Sequence, residues 1–514
     1  NNGYRIKIMA DPSFVSSAPV VSPPALSTAA FLIRNASVTI QNIAARLPPS
    51  GVAYGIQASS AFVTVSNVGV DGGENANWNT GVILSSYGVV DHSSITVQRG
   101  YGLVLTGVGS VISASTMNLN GTGINSGYAL YIMGSSSNSV TGSFMISPEG
   151  LGAVLDSGAG YNSISLSTMS THNTASPALS INGAFWNTIS DSFMGSRGGY
   201  GAKLEGGSHH NTIVGSTLTS RAFSFAYPAL YFYESSWNVL TNCFVSGLDD
   251  YGAAFWANSN NNLISQSTAI SGGVNRYAVY INSSSSNTFT QSYLAHSSSG
   301  EVVRIESGSH YNMVSQSTLT LSHNAGYAYY VKGSSGNTLS QSRVSNPAGY
   351  AAFLAASAKY GTIDQSTITT NSGSSAVYLD SASYNSISRS YIGNPVGSGL
   401  TIGFYSHYNT VDRSTMTSAG SNAKALNLTG GDNNTISRSM MASPFGYGAW
   451  FDFGVNNLLS QSTVTGNGLI GALVIAGASS QTVMNSYIQG GDALYISGST
   501  GTDIRASVLI ATKT

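Results

Sequence analysis

The chain has little charge and almost no cysteine. Only 8% of its 514 residues are charged, and the formal net charge is −1. A chain with so few basic residues lacks the positive surface charge with which proteins bind nucleic acid or an anionic membrane. Cys243 is the only cysteine, so there is neither a disulfide framework nor a site built from several thiolates. The sequence therefore predicts no nucleic-acid partner, no metal centre and no cofactor.

Long apolar runs are missing as well. The chain contains no stretch of about eighteen apolar residues, the length that a transmembrane helix needs. It begins Asn1-Asn2-Gly3, without Met or a signal peptide, and we interpret it as a processed or partial chain. Hydrophobic residues make up 42% and aromatic residues 10% of the total, which is too much for a disordered chain. The chain is expected to fold without a transmembrane segment.

What the sequence does contain is an internal repeat. An anchor, usually Asn, is followed by an apolar residue at the second position, Ser at the fifth and an apolar residue at the seventh, as in Asn287 to Leu294. The clearest anchors, 23 to 27 residues apart, are Asn138, Asn162, Asn187, Asn211, Asn238, Asn262, Asn287, Asn312, Asn337, Gly361, Asn385, Asn409, Asn434, Asn457 and Gln481. Weaker copies at Ala36, Ala61, Gly88, Ser110 and Thr502 bring the expected number of turns to twenty.

The repeat predicts a fold of short stacked strands. Residues two apart on a strand share a face, so the fifth and seventh positions after the anchor can both point inward on one strand. The second position does not fit this alternation and must lie on another strand, beyond a corner. A further alternating pair precedes each anchor, as in Leu130 and Ile132. A repeat of this size cannot close a core alone and must stack on its neighbours. The fold class is therefore all-β: a single-stranded parallel β-helix of about twenty turns over residues 31–514, with right-handed winding expected from the general crossover preference.

Stacking aligns equivalent residues into columns along the helix. The Ser column is interpreted as an inward ladder of hydroxyls, and the Asn column as an amide ladder at the opposite corner. The central members of these two structural ladders are Asn262, Asn287, Asn312, Asn337, Ser267, Ser292, Ser317 and Ser342. Cys243 takes the place of a Ser in its column, which predicts a buried, inert thiol.

Through the motif Asn-x-Ile-x-x-Ser-x-Ile, the chain resembles the right-handed parallel β-helix superfamily. That superfamily holds pectate-lyase-like enzymes, phage tailspikes and Ser/Asn-rich bacterial surface proteins, and the resemblance is closest in character to the non-enzymatic surface or fibre proteins. It covers residues 31–510 and implies an extracellular or cell-surface location. Because enzymes, adhesins and passive rods share the motif, it specifies the fold far more strongly than the function.

The resemblance also implies where catalytic groups would be found, because enzymes of this superfamily cluster acids on one face of adjacent turns. Asp156 and Glu205 share a column but lie two turns apart, with Ile181 expected between them. His209, His310 and His407 also share a column, four turns apart, which is too far for one metal ion. The sequence thus predicts no catalytic residue and a protein that is not an enzyme. A polysaccharide lyase or hydrolase remains the alternative.

The position between the fifth and seventh residues should point outward, and there small and bulky side chains alternate from turn to turn. The bulky members assigned to a candidate interface are Phe144, Phe193, Phe244, Tyr293, Tyr391 and Tyr487. Two interpretations stay open. Each ring covers its Thr neighbours, or the rings form a stripe that packs against another rod or stacks on sugars. A second aromatic column, which includes Tyr161, Trp186 and Trp237, lies just before the anchor.

A corner column carries Gln in successive turns and then Arg389, Arg413 and Arg438. Stacked guanidinium groups repel one another, so these three residues are a candidate contact for an anionic partner. The alternative is a solvated column whose repulsion is screened and is eased by Asp412.

Residues 1–30 break the repeat and predict an extended N-terminal arm. Tyr4, Ile6 and Ile8 alternate like a strand, and four prolines follow. An arm of this kind and uncovered solenoid ends suit head-to-tail addition by β-augmentation, which gives an open filament. The predicted function is a structural subunit of a homopolymeric extracellular filament or surface rod. A carbohydrate-binding adhesin, a polysaccharide-active enzyme and a segment of a larger surface protein are the alternatives.

Overall fold

The computed structural model describes residues 5–11, 13, 18–34, 37–48, 51–59, 62–73, 78–121, 127–221, 227–322, 325–467, 469 and 471–512. In these residues the chain is all-β and forms no helix. Its strands build a β-solenoid of about twenty turns, which confirms the fold class predicted from the repeat. The described residues contain no helix of the length and apolarity needed to span a bilayer.

The chain divides into two compact units, Asn1–Leu263 and Ile264–Thr514. Within each unit, a turn contributes one strand to sheet A, the next to sheet B and the third to sheet C, and strands of successive turns pair in parallel. In the first unit, for example, Ser139–Thr141 pairs with Ser163–Ser165 in sheet A, and Phe144–Ser147 pairs with Thr168–Thr171 in sheet B.

In the first unit the strands have the following bounds. Sheet A consists of Ile6–Met9, Val38–Gln41, Val63–Ser66, Val89–Asp91, Val111–Ser113, Ser139–Thr141, Ser163–Ser165, Thr188–Ser190, Thr212–Val214 and Val239–Thr241. Sheet B consists of Val20–Val21, Ala44–Arg46, Gly69–Asp71, Ser94–Val97, Thr116–Leu119, Phe144–Ser147, Thr168–Thr171, Phe193–Ser196, Thr217–Ser220 and Phe244–Gly247. Sheet C consists of Ala29–Ile33, Tyr54–Ala58, Trp78–Leu84, Arg99–Leu105, Gly127–Met133, Leu151–Asp156, Leu179–Asn182, Ala202–Glu205, Leu230–Tyr233 and Ala253–Trp256.

In the second unit the same order continues. Sheet A consists of Leu263–Ser265, Thr288–Thr290, Met313–Ser315, Thr338–Ser340, Thr362–Asp364, Ser386–Ser388, Thr410–Asp412, Thr435–Ser437, Leu458–Ser460, Thr482–Met484 and Asp503–Arg505. Sheet B consists of Thr268–Ser271, Tyr293–His296, Thr318–Leu321, Arg343–Asn346, Thr367–Thr370, Tyr391–Asn394, Thr415–Ser418, Met440–Ser443, Thr463–Gly466, Tyr487–Gly490 and Val508–Ala511. Sheet C consists of Arg276–Asn282, Gly300–Glu306, Tyr327–Lys332, Tyr350–Ala355, Val377–Asp380, Leu400–Ile402, Lys424–Thr429, Tyr447–Asp452, Leu473–Ala476 and Leu494–Ser497.

The core of each unit lies between its three sheets. One turn shows the pattern: Ile164 from sheet A, Met169 from sheet B and Leu155 from sheet C are all fully buried. Burial of each such side chain stabilises the fold by about 1.5–3 kcal/mol relative to an exposed one. Since one turn supplies so few of these residues, the core closes only through stacking, as the repeat predicts.

The Asn column forms a buried amide ladder at the corner between sheets C and A. In the first unit, Asn162 Nδ2 donates to Asn187 Oδ1 at 2.9 Å, and the Asn162 backbone N–H donates to the same oxygen at 2.9 Å. In the second unit, Asn287 Nδ2 donates to Asn312 Oδ1 at 3.2 Å and Asn312 Nδ2 donates to Asn337 Oδ1 at 3.2 Å. Each amide thus satisfies backbone and side-chain groups of the neighbouring turn, and Asn262 is buried in the same way.

The Ser column is also buried, and its hydroxyls bond to the backbone of their own and the preceding turn. The Ser267 backbone N–H donates to Ser292 Oγ at 3.2 Å, and the Ser292 N–H donates to Ser317 Oγ at 3.1 Å. The Ser317 N–H donates to Ser342 Oγ at 3.1 Å. Each hydroxyl in turn donates to a carbonyl of its own turn, as Ser292 does to the Thr290 carbonyl at 2.8 Å. Each hydroxyl therefore accepts a hydrogen bond from the backbone of the preceding turn and donates one to the backbone of its own turn.

The described part of residues 1–30 includes two short strands that pair within the chain, and the extended arm between subunits stays a prediction. Ile6–Met9 pairs in parallel with Val38–Gln41 of the same chain, in sheet A. Val20–Val21 likewise pairs with sheet B, opposite Ala44 and Ala45. The reason is that an unpaired sheet edge is a template for any strand within reach, and this segment lies closest along the chain. Tyr4 is outside the described residues.

Candidate functional site

The outward column of sheet B alternates between bulky and small side chains, as the sequence predicts. In the first unit, Phe144 pairs with Thr168, and Thr168 pairs with Phe193. Phe193 pairs in turn with Thr217, and Thr217 pairs with Phe244. The three Phe side chains are 50%, 41% and 41% exposed.

Two rings of this column, Phe193 and Tyr391, lie over glycines of their own strands. A Cβ placed on Gly195 would lie 2.5 Å from Phe193 Cε1, and one placed on Gly393 would lie 2.8 Å from Tyr391 Cε1. In the second unit, the Tyr391 hydroxyl is 3.0 Å from Thr417 Oγ1, and the Tyr487 hydroxyl donates to Gln489 Oε1 at 2.8 Å. Tyr293 is 44% exposed. The rings therefore cover their own sheet, and one side of each still faces solvent.

The aromatic column before the anchors forms stacks whose faces are already occupied. Trp186 stacks on His210 with ring centroids 4.3 Å apart, and Tyr384 stacks on Tyr408 at 5.0 Å. These residues occupy left-handed corner positions, with φ of 55° at Trp186 and 61° at Tyr384. A ligand would reach mainly the edges of these rings, so the column is a poor stacking platform.

Each arginine of the predicted anion contact lies beside a carboxylate of its own chain. Arg389 Nη2 is 2.6 Å from Asp364 Oδ2, and Arg438 Nε is 2.7 Å from Asp412 Oδ1. Arg413 Nε lies 3.9 Å from Asp412 Oδ2. These ion pairs compensate much of the positive charge of the column, which favours the alternative that the sequence left open. Contact with an anionic partner stays a prediction.

A group of charged and aromatic side chains lies on the outer face of sheet C in the second unit, and sequence reasoning missed it. We name this surface the tyrosine face. It comprises Tyr277, Tyr280, Glu301, Arg304, Glu306, Tyr327, Tyr330, Tyr350, Phe353 and Tyr378. Successive turns place Tyr280 beside Arg304, Arg304 beside Tyr330, and Tyr330 beside Phe353.

One turn of the tyrosine face replaces its two aromatic side chains with charged ones. Arg304 Nη1 donates to both carboxylate oxygens of Glu301, at 3.1 and 3.0 Å, and its Nη2 donates to Glu306 Oε2 at 2.7 Å. The guanidinium carbon also lies 5.2 Å from the Tyr277 ring centroid and 4.9 Å from that of Tyr330. A cation between two rings is held by cation–π attraction as well as by its ion pairs.

The two carboxylates of this turn titrate differently. Burial raises the pKa of Glu301, and Arg304 only partly opposes this effect. Burial also disfavours ionisation of Glu306, but hydrogen bonds from Arg304 and Tyr280 outweigh it and hold its pKa below the ordinary value. The Tyr280 hydroxyl donates to Glu306 Oε1 at 2.6 Å. Glu306 is therefore the firmly ionised member of the pair.

Beyond Arg304 the face continues as a cluster of touching rings. Tyr327 lies 4.8 Å from both Tyr330 and Phe353, measured between ring centroids. Tyr350 lies 5.3 Å from Phe353 and 5.7 Å from Tyr378. Tyr330 and Phe353 are 9% exposed, whereas Tyr327, Tyr350 and Tyr378 are partly exposed around them. The surface is a broad aromatic platform with a fixed ion-pair network at one side.

Two signals in the sequence could have located this face. The segment Gly300-Glu301-Val302-Val303-Arg304-Ile305-Glu306 holds three charged residues in a chain with 8% charge overall. A Tyr also recurs three positions before the outward residue of sheet C, as at Tyr277, Tyr327 and Tyr350. The second signal is weak because Tyr does not occupy this place in every turn, unlike the Asn and Ser that define the repeat.

Asp156 and Glu205, the two acids that share a column in the sequence, and the single thiol each have defined neighbours. Asp156 and Glu205 flank Asn182 rather than the expected Ile181, which points inward. Asn182 Nδ2 donates to Asp156 Oδ1 at 3.2 Å, and Lys203 Nζ lies 2.6 Å from Glu205 Oε2. Cys243 is 4% exposed, and burial raises the pKa of its thiol to about 11. Its environment therefore favours the protonated thiol over the reactive thiolate.

Comparison with known proteins gives one family match. Residues 210–401 match the model of the NosD family, described as a periplasmic copper-binding protein. No curated protein sequence matches the chain.

Several solved structures are similar in fold. The Dettilon tailspike protein has a TM-score of 0.38 and 11% identity, and the match covers 68% of this chain and 61% of that one, so less than two thirds of the tailspike is spanned. The periplasmic alginate epimerase AlgG has a TM-score of 0.31 and 10% identity over 68% of this chain and 78% of its own. Vag8, solved in complex with C1 inhibitor, has a TM-score of 0.35 and 12% identity over 98% of this chain and 100% of its own.

The residues of the matched range do not fit a copper site. The described residues contain no group of three His, Cys, Asp or Glu side chains that could hold a metal ion. His296 directs Nε2 toward the Gly273 carbonyl and Nδ1 toward the backbone of Ser298. His310 Nδ1 accepts the Ser335 N–H at 3.0 Å. These ring nitrogens are engaged with the backbone, so no step is assigned to copper.

Proposed function

We propose that this chain, which has the parallel β-helix fold, is a glycan-binding protein of the periplasm or cell surface, with the tyrosine face as its binding site. The observation that carries the proposal is the platform of partly exposed rings next to the Glu301–Arg304–Glu306 network. Binding sites commonly combine aromatic surface with a few well-placed polar groups.

The chemistry of the face suits a sugar. The rings of Tyr327, Tyr350 and Tyr378 can pack against the C–H faces of pyranose rings, since aromatic faces carry partial negative charge. The hydroxyl groups of these three Tyr side chains both donate and accept hydrogen bonds, so they can orient the hydroxyl groups of a bound sugar. Because the ion-pair network is already formed within the chain, little ordering is needed when a ligand arrives.

We infer binding without catalysis. A general acid or base must reach the proton that it transfers. Both oxygens of Glu301 already accept from Arg304, and the two oxygens of Glu306 accept from Tyr280 and Arg304. These contacts hold the carboxylates as structural parts of the platform. The prediction is that a panel of polysaccharides yields no new reducing ends and no unsaturated product.

The proposed location rests on composition and on the family match. A single cysteine and low charge are compatible with an exported repeat protein that needs no disulfide, because the stacked core and the ladders supply its stability. The matched family is described as periplasmic. Fractionation of the natural host, with an antibody against the chain, tests this part of the proposal.

A glycan array followed by calorimetric titration of the best hit tests the site. Tyr350→Ala should weaken binding about tenfold, which corresponds to the loss of one aromatic contact. Tyr293→Ala is the matched control, because it removes a partly exposed Tyr of sheet B in the same unit. Circular dichroism checks that both variants are folded. The proposal is wrong if no glycan binds, or if both variants bind the hit as the wild type does.

A further inference from the structure

The phenylalanine row on sheet B of the first unit, formed by Phe144, Phe193 and Phe244, is a second surface with its own periodicity. We propose that this row binds an extended, neutral β-1,4-linked hexose polymer that runs along the helix, with one ring under every second sugar. This site is separate from the tyrosine face and does not depend on it.

The spacing of the rings is the first argument. Adjacent strands of a sheet are about 4.8 Å apart, so rings on every second turn recur at about 9.6 Å. In an extended β-1,4-linked hexose chain, successive sugars alternate in orientation and every second sugar presents the same face. The disaccharide unit of such a chain has a length close to two turns. The row and the polymer therefore share one repeat.

The placement of the rings is the second argument. Phe193 lies over Gly195, where a Cβ would come within 2.6 Å of its ring carbon Cζ. Because Gly195 has no side chain, the Phe193 ring can pack flat against its own strand, with its other face toward solvent. The intervening turns carry Thr168 and Thr217. Their hydroxyls lie between the rings, where the sugars in the opposite orientation would lie.

Charge decides the class of the sugar. The turns between Phe144 and Phe244 place only uncharged residues at the row and at the next outward position, which holds Ile146, Ser170, Gly195, Thr219 and Ser246. The nearest cations on this face, Arg197 and Arg221, follow one outward position later, just beyond the ends of their strands, and Arg221 Nε lies 3.8 Å from Asp249 Oδ2. In the second unit, Arg343 interrupts the corresponding column. The uncharged row therefore matches a neutral polymer.

The row fits a polysaccharide better than a second protein chain. Protein interfaces have a contiguous, closely packed apolar centre. Here each ring is separated from the next by a turn that carries a hydroxyl. A surface that alternates ring and hydroxyl matches a sugar chain, which alternates C–H faces and hydroxyl groups.

Calorimetric titration of the full chain with cello-oligosaccharides tests the proposal. The three rings span four turns, about 19 Å, so affinity should rise from cellobiose to cellopentaose and then level off. Maltohexaose, whose α-linkages curve the chain, should not bind. Phe193→Ala should weaken cellohexaose binding about tenfold, and the triple variant with Phe144→Ala and Phe244→Ala should abolish it.

The controls separate this site from the tyrosine face. Tyr350→Ala should leave cellohexaose binding unchanged, whereas it impairs the ligand of the tyrosine face. Because the three Phe side chains are about half exposed, the variants should stay folded, which thermal unfolding checks. The proposal is overturned if cellohexaose does not bind, if the triple variant binds it equally well, or if maltohexaose binds as tightly. It is also overturned if sedimentation shows that the wild type self-associates through the row and the triple variant does not.

Discussion

Removal of one amide from the Asn ladder should destabilise the first unit by several kcal/mol. Asn187 is 1% exposed. Its Oδ1 accepts the Asn162 N–H and Asn162 Nδ2, both at 2.9 Å. Its Nδ2 donates to the Ala159 carbonyl at 2.9 Å and to Asn211 Oδ1 at 3.0 Å. Asn187→Ala removes all four of these hydrogen bonds.

The cost follows from what each partner retains. The Ala159 carbonyl still accepts the Phe185 N–H, and Asn162 Nδ2 still donates to the Ser135 carbonyl. The Asn162 N–H loses the amide oxygen that accepts it and stays buried, which costs about 1–3 kcal/mol. With about 1 kcal/mol for each of the other three bonds, the expected loss is about 4–6 kcal/mol. Gly361 shows that the ladder tolerates one position without an amide, since its N–H still reaches Asn385 Oδ1 at 2.8 Å.

Two measurements check this prediction. Urea unfolding of the full chain gives the change in unfolding free energy, and hydrogen exchange with mass spectrometry reports protection of the Asn162 amide. Asn120→Ala is the control, because Asn120 is exposed and should change stability by less than about 0.5 kcal/mol. A loss below about 1 kcal/mol together with undiminished protection at Asn162 would refute the view that the ladder stabilises the corner.

Three further predictions concern separate parts of the chain. Burial raises the pKa of the Cys243 thiol to about 11, so the native chain should not react with a thiol reagent near neutral pH. The urea-unfolded chain should react fully, and rapid labelling of the native chain would contradict this prediction. Burial opposes ionisation of Asp364, but hydrogen bonds from Arg389 and Ser388 hold its pKa below the ordinary value of 3.8. The ionised carboxylate therefore stabilises the fold above pH 3.8, and this stabilisation is lost as the pH falls through the lower pKa of the folded chain. Urea unfolding at about pH 5 and about pH 3 should therefore show a smaller loss for Asp364→Asn than for the wild type, and an equal loss would argue against the pairing. The filament predicted from the sequence stays a prediction, and negative-stain microscopy over a range of concentrations tests it, since single particles at every concentration would exclude assembly.

The fold could be predicted from the sequence because equivalent positions of the stacked turns recur at a regular spacing along the chain. Every turn needs an inward apolar residue such as Ile164, a buried amide such as Asn162 and a hydroxyl such as Ser167 at the same places. These requirements recur with the period of the chain, so the columns are visible in the order of the residues alone. The alternation of Phe193 with Thr217 was readable for the same reason.

The N-terminal strand and the arginine column were harder to predict because neighbours in space decide them. Ile6 and Ile8 alternate as a strand should, but only the sheet edge at Val38 determines that they pair within the chain. Arg389 looks unpaired in sequence, because its partner Asp364 lies one turn away in another repeat. In both cases the sequence shows the group, and the fold supplies its partner.

By itself, the sequence determined the class of fold and the turn length, because each is a requirement that every repeat must meet. Only the tertiary structure decided which charged and aromatic side chains lie together on one surface. The tyrosine face joins Glu301 and Arg304 with rings from neighbouring turns, at positions where each repeat carries a different residue. The recurring Tyr marks part of this face in the sequence, but no periodic signal marks its charged members, which stacking brings together.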